Sequence, residues 1–251
     1  MQSLLIAIQF LTRIPVKAER EWEDELIAQS VLYYPLVGLM IGLILWFSAL
    51  LFEAVAPMLG AVMVLIIWVI ITGGLHLDGL ADSADAWAGG YANKQRSLEI
   101  MKDPSAGPFS VVVLVLLLLV KYVALVSLLE SHQFWLLCVA PVSGRLSVVV
   151  LFLTTPYVRE NGLGSVMARL LSRKLAYGVV LLTLILALVT LPFVVFILVL
   201  LTCSAVLYLL RFLMLHRLQG MTGDTIGASL EITEAVTVFV LATIVSLNIW
   251  L

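Results

Sequence analysis

"VMVLIIWVIITGGLHLDGLADSADAWAGG", residues 62 to 90, opens on eleven residues without a charge and then sets one histidine and three aspartates within ten positions. The apolar part reads as a membrane span, and the acids fall where it ends. Asp78, Asp82 and Asp85 are spaced i, i+4 and i+7, so a helix carries all three on one face. Like charges at that spacing repel, and a carboxylate near lipid is costly. The cluster therefore calls for a positive partner. Oxygen ligands without cysteine suit a hard cation, Mg²⁺ or Mn²⁺, of the kind bound together with substrate phosphates. Gly73, Gly74 and Gly79 permit close backbone approach to a bulky ligand. The rival explanation is a solvated polar cap on a membrane helix.

The rest of the chain agrees with a membrane setting. Its 251 residues are 63% hydrophobic and 12% charged, with a mean hydropathy of +1.15. A soluble domain carries about 45–50% apolar and about 25% charged residues, so a soluble globular protein is excluded. The fold class is an all-α polytopic bundle in one domain, residues 1–251. Seven spans are predicted: about 31–54, 58–75, 109–129, 134–153, 176–191, 193–212 and 233–251. Residues 175–210 are continuously apolar except at Pro192, and 36 residues at about 1.5 Å each make a rod too long for one crossing. A turn at Thr190–Pro192 divides them. Residues 1–30 form an interfacial N-terminal segment. No basic residue precedes its apolar stretch, and "TRIPVK" stands where a signal-peptide cleavage site would lie, so the segment is expected to stay on the protein. Cys138 and Cys203 sit in apolar runs without metal or disulfide spacing and read as small buried hydrophobes.

Basic residues orient the bundle, because positively charged loops stay in the cytoplasm. Twelve of the fourteen fall before the first span or after the second, fourth and sixth. The N-terminus is therefore expected in the cytoplasm, with every long polar connection on the same face. The other two, Lys121 and Arg145, lie within spans, where ionisable groups face a cavity or a partner.

A second acidic stretch, "GMTGDTIGASLEITEA" (220–235), places Asp224, Glu231 and Glu234 on one helical face. Its Thr222–Gly223–Asp224 start offers an N-cap and exposed amides for an anion. On the orientation argument both acidic stretches share one side of the membrane. Two acidic helices around a divalent ion suit phosphoryl transfer, where metals neutralise the transferring group. Asp78, Asp82, Asp85, Asp224 and Glu231 are the candidate metal ligands, with Asp82 and His76 as candidate catalytic groups. Lys121, Arg145, Arg159 and Lys102 are candidate clamps for anionic substrates. For Arg159 and Lys102 a purely topogenic role is as good a reading, and Asp103 serves equally as a ligand or as a turn residue before Pro104.

At this point the residues carry a family resemblance. "FLTRIPV" (10–16), "YYPLVGLMIG" (33–42), "TGGLHLDGLADSADAW" (72–87), "EIMKDPSAG" (99–107), "RENGLG" (159–164) and "GMTGDTIGASLEITE" (220–234) resemble, in order and over almost the whole chain, the cobalamin synthases. The resemblance implies a Mg²⁺-dependent transferase in the cytoplasmic membrane of a prokaryote. Such enzymes join adenosylcobinamide-GDP to α-ribazole or its 5′-phosphate and release GMP. It also implies that the family's acidic motifs fall on Asp78, Asp82 and Asp85 and on Asp224 and Glu231. "MKDPSAG" departs from members with Ser-Arg-x-Gly after the aspartate. The implied partners are those two substrates and the bilayer, with no nucleic acid; the sequence does not choose between one copy and an oligomer.

Two other classes compete. A carrier would use intramembrane carboxylates with Lys121 and Arg145 as a relay, but the acids cluster at one face and no inverted repeat is evident. A phosphotransferase of the CDP-alcohol type shares the metal chemistry, yet "DGLAD" lacks that family's further spaced aspartates.

Overall fold

The computed structural model describes residues 2–16, 22–91, 93–103, 105–160 and 162–249. Lys17 and Arg20, counted above among the orienting charges, and Pro104 lie outside them. Among the described residues every named element is helical: α1 (Gln2–Leu11), α2 (Asp24–Ser30), α3 (Tyr34–Leu51), α4 (Pro57–Thr72), α5 (Leu75–Gly89), α6 (Lys94–Ile100), α7 (Pro108–Glu130), α8 (Val139–Thr154), α9 (Leu163–Leu170), α10 (Arg173–Thr190), α11 (Phe193–Leu218) and α12 (Gly223–Ser246). Six stretches among them are long and apolar enough to cross a membrane, seven if the bent pair α4–α5 counts as one crossing. The predicted all-α bundle of about seven spans is what the chain forms.

Burial sorts these helices into a centre and a periphery. The most apolar window of α12 is 72% buried, against 6% in α10 and 11% in α11. α10 and α11 present leucine, valine and phenylalanine outward, as lipid-facing helices do, and break at Thr190–Pro192 as expected. α12 instead buries Thr225, Ser229, Glu231, Thr233, Glu234 and Thr237. Polar groups in a bilayer must point into the bundle, and that requirement makes α12 the axis of the fold. The helix therefore starts ten residues before the predicted span at 233, and it carries the second acidic stretch on the helical turn that its spacing and the Thr222 cap predicted.

Small residues let the central helices touch. Gly38 and Gly42 on α3 lie against the backbone of Pro141 and Cys138 at the start of α8, where an added Cβ would sit 2.5 Å from the Pro141 carbonyl oxygen or the Cys138 Cα. This is the close small-residue packing of membrane helices. α1 is more than an interfacial strap: Ala7 and Leu11 are buried in the same core as residues of α2 and α3.

The opening stretch makes a sharp turn. α4 ends on Gly73 at φ +66°, Gly74 follows at φ +70°, and α5 leaves at 87° to α4. Both dihedrals lie in the left-handed region that glycine alone enters freely. The Arg13 N–H donates to the Ile71 carbonyl at 2.7 Å and its side chain lies over Gly73, which closes the end of α4. With 16 residues, α4 spans about 24 Å, so the predicted span 58–75 is a short helix that turns before it completes a ~30 Å crossing. Nothing lies within 4 Å of the position a Gly74 side chain would take. Gly74→Ala is therefore expected to lower stability through backbone strain alone, by about 1–2 kcal/mol, readable as a lower unfolding midpoint in detergent.

Candidate active site

The two acidic stretches meet where α5 crosses the first turn of α12. Gly79 faces the backbone of Asp224, and Gly227 faces that of His76; a Cβ on Gly79 would lie 2.8 Å from the Asp224 carbonyl oxygen. Only at glycine can the helices come this close. Thr222 caps α12 in a reciprocal box with Thr225, with N–H to hydroxyl distances of 3.2 and 2.9 Å. Asp224 then falls in the first helical turn, where the helix dipole favours a negative charge.

A short parallel bridge places the basic partner. The Val158 N–H donates to the Met221 carbonyl at 2.9 Å, and the Met221 N–H to the Pro156 carbonyl at 2.8 Å. This lays the chain after α8 beside the start of α12 and sets Arg159 over Asp224, with Nη2 donating to Oδ2 at 2.6 Å. The Arg159 Nε is buried without a partner. Tyr157, on the same strand-like segment, has its phenol pushed above its ordinary pKa by burial, with Arg159 opposing.

Four carboxylates surround this point. Asp82 feels the charges of Asp78, Asp224 and Asp85, against Arg159. Asp78 is exposed, while Asp82 and Asp85 are half-buried. Their environments differ in a way spacing alone hides. Asp85 accepts hydrogen bonds from the Gly107 N–H at 2.6 Å and the Ser110 N–H at 2.9 Å, so it caps the start of α7. Gly107 must be glycine here, because a Cβ would lie 2.7 Å from an Asp85 oxygen.

The expected set of five ligands is therefore not gathered in one place. Glu231 lies deeper in the bundle, where Lys121 Nζ is 2.7 Å from it and 2.8 Å from Glu234. Arg145 pairs with the other oxygen of Glu234, and Lys121 also sits 4.3 Å from the centre of the Trp68 ring. Two cations and two carboxylates, all buried, neutralise one another. Lys121 and Arg145, expected as substrate clamps, are engaged inside the protein, and Glu231 with them. Among the described residues no three His, Cys, Asp or Glu side chains converge closely enough to hold a metal without other ligands.

Two cavities flank the Arg159–Asp224 pair. A cleft of about 420 Å³ is lined by Lys102, Arg159, Gln95 and Glu99. Asp103 stands exposed near it as a turn residue, its oxygen accepting the Ser105 N–H at 2.9 Å, which holds its carboxyl below the usual range. The second cavity, about 280 Å³, is lined by His76, Asp78, Gly223 and Asp224 together with aromatic and aliphatic side chains. Thr222 is fully buried and serves as the cap, whereas Gly223 is exposed to the cavity. Sequence reasoning assigned no role to Phe10, Tyr34, Phe152 or Tyr157, which line it. Phe10 and Tyr34 fall in stretches that carry the family resemblance, and that was the one available signal. Trp87 is held beside Arg217, which donates to the Ala86 and Trp87 carbonyls at 3.1 Å and so closes the end of α5.

Comparison with known proteins bears on this arrangement. A family model described as cobalamin-5-phosphate synthase matches residues 3–242. A protein of Stutzerimonas stutzeri (strain A1501) named adenosylcobinamide-GDP ribazoletransferase is 48% identical over 96% of this chain and 98% of its own length. One of the same name from Pseudomonas savastanoi pv. phaseolicola is 49% identical over 94% of this chain and 97% of its own. No solved structure matches the chain at a significant level. The chain belongs to the cobalamin-5-phosphate synthase family.

Proposed function

We propose that this membrane enzyme transfers the cobinamide phosphate of adenosylcobinamide-GDP to α-ribazole or its 5′-phosphate, in the assembly of the cobalamin nucleotide loop, at the crossing of α5 and α12. A ribazole hydroxyl attacks the phosphorus on the cobinamide side, the bond to the bridging pyrophosphate oxygen breaks, and GMP leaves with that oxygen. The observation that carries the assignment is the position of Asp78, Asp82 and Asp224 beside Arg159, between a cleft with basic residues and an aromatic cavity. Arg159 and Lys102 bind the pyrophosphate from the cleft. Asp82, half-buried but reached by solvent, accepts the proton of the attacking hydroxyl.

The carboxylates fit a Mg²⁺ ion. They are hard oxygen donors on abutting helices, and one arginine offsets several negative charges. Mg²⁺ is commonly held by one or two carboxylates, with substrate phosphates and water completing its shell, so a closed protein cage is not required. One or two of Asp78, Asp82 and Asp224 would hold it together with the substrate phosphates, and when bound it would neutralise charge on them. Asp85 and Glu231 stand outside this set because helix capping and Lys121 engage them. We also place the site on the cytoplasmic side of the cell membrane, since the loop residues Lys102 and Arg159 and the helix-end residue Arg217 supply positive charge beside it.

Protein in liposomes, given adenosylcobinamide-GDP and α-ribazole phosphate, is expected to release GMP with Mg²⁺ and to lose that release when Mg²⁺ is chelated. Folded protein that yields no GMP in the complete mixture would overturn the assignment.

A further inference from the structure

The aromatic cavity has no place in the account above, and its lining is specific. Phe10 and Tyr34 stack with ring centres 6.4 Å apart and planes 19° from parallel. Phe152 and Tyr157 add two more rings, and Met167, whose sulfur accepts the Tyr34 hydroxyl at 3.6 Å, completes the wall. Aromatic faces and thioether sulfur favour a flat π-system. One lining side chain is short of polar partners: His76 is 6% exposed, and its Nδ1 is buried with no partner. An unpaired buried ring nitrogen costs free energy that a ligand can recover.

We propose that this cavity holds the bicyclic base of the ribazole acceptor, with the imidazole of His76, which lines it, donating to the base's unsubstituted ring nitrogen. The inference rests on the transfer reaction proposed above. Of the groups the two substrates carry, the base alone suits the space. A corrin ring with its amide arms far exceeds about 280 Å³. Guanine, and the adenine of the adenosyl group, would each enter with several donors and acceptors, and burying them against an apolar wall without partners is costly. A ribosylated dimethylbenzimidazole has no N–H, two methyl groups and one acceptor nitrogen, which matches an aromatic wall with one spare donor. Asp78 and Asp224 belong to the same lining, so a base seated there brings its ribose, and the attacking hydroxyl, to the carboxylates. The cleft on the other side of Arg159 is left for the pyrophosphate.

Ile226 lines the cavity from α12, so Ile226→Phe fills it. The expected result is a KM for α-ribazole phosphate raised at least about tenfold, with the KM for adenosylcobinamide-GDP changed less than about twofold. A 5,6-dimethylindole riboside, which lacks the acceptor nitrogen, should bind wild type about tenfold more weakly than α-ribazole, and His76→Leu should erase that difference. Should Ile226→Phe fail to fold, Val148→Cys, also on the cavity wall, is alkylated with a maleimide and read at that position by mass spectrometry. Protection by α-ribazole and not by GMP supports the proposal. Equal rises in both KM values, protection by GMP alone, or protection by neither overturns it. Failure of wild type to release GMP would sink the transfer reading instead, and the labelling result would still stand or fall by itself.

Discussion

Asp82→Asn is expected to lower GMP release by more than about 100-fold while the protein inserts and folds as wild type does. Removing groups that merely support a metal site commonly costs about 10–100-fold in affinity or activity, and Asp82 is proposed both as a direct ligand and as the proton acceptor. Its neighbour on the same face supplies the control. Asp85 receives two backbone N–H groups from the start of α7, whereas Asp82 carries no hydrogen bond among the described residues. Asparagine at 82 also removes one of several mutually repelling charges, so stability stays within about 0.5 kcal/mol or rises. Asp85→Asn instead weakens a helix cap and costs about 1 kcal/mol. Measuring GMP release and the unfolding midpoint on both variants separates the two roles. Near-normal turnover in Asp82→Asn would move the metal and the proton acceptor to Asp78 and Asp224.

Asp82 and Asp85 also mark how far the sequence could be read. The i, i+4, i+7 spacing correctly put three acids on one face, and the charge-free run before them is helical, although it turns before completing a crossing. Pro192 announced a break because it acts through its own backbone, whereas Gly73 and Gly74, read as room for a ligand inside the predicted span, are where the chain turns. What spacing could not tell is which acid is free. That is decided by Gly107 and Ser110, more than twenty residues away, coming to lie over Asp85. The late start assigned to the last span has the same origin. Hydropathy treats Glu231 and Glu234 as polar wherever they stand, yet Lys121 and Arg145, on helices remote in sequence, make it possible to bury them. The aromatic cavity was hidden for a related reason: its rings come from α1, α3, α8 and the segment after α8, and each alone reads as ordinary apolar packing.

The buried charge cluster should therefore behave as structure rather than as a substrate clamp, and Lys121→Met tests this with the largest expected loss of stability. Lys121 joins α7 to α12 through Glu231 and Glu234, and touches Trp68 of α4; Arg145 ties α8 to the same Glu234. All four charged groups are at most 3% exposed, so no water can replace a missing cation. Breaking a buried pair by removing one partner commonly costs about 3–5 kcal/mol, because the other charge is left uncompensated, whereas removing both is far milder. Lys121→Met should lower the unfolding midpoint in detergent by an amount of that order, and Lys121→Met combined with Glu231→Gln should recover much of it. Activity would fall with stability in the single variant, because α12 carries Asp224 to its crossing with Gly79. A clamp predicts the opposite pattern: unchanged unfolding, a raised KM for adenosylcobinamide-GDP, and no recovery in the double variant. That outcome would return Lys121 to the substrate and free Glu231 to bind the metal.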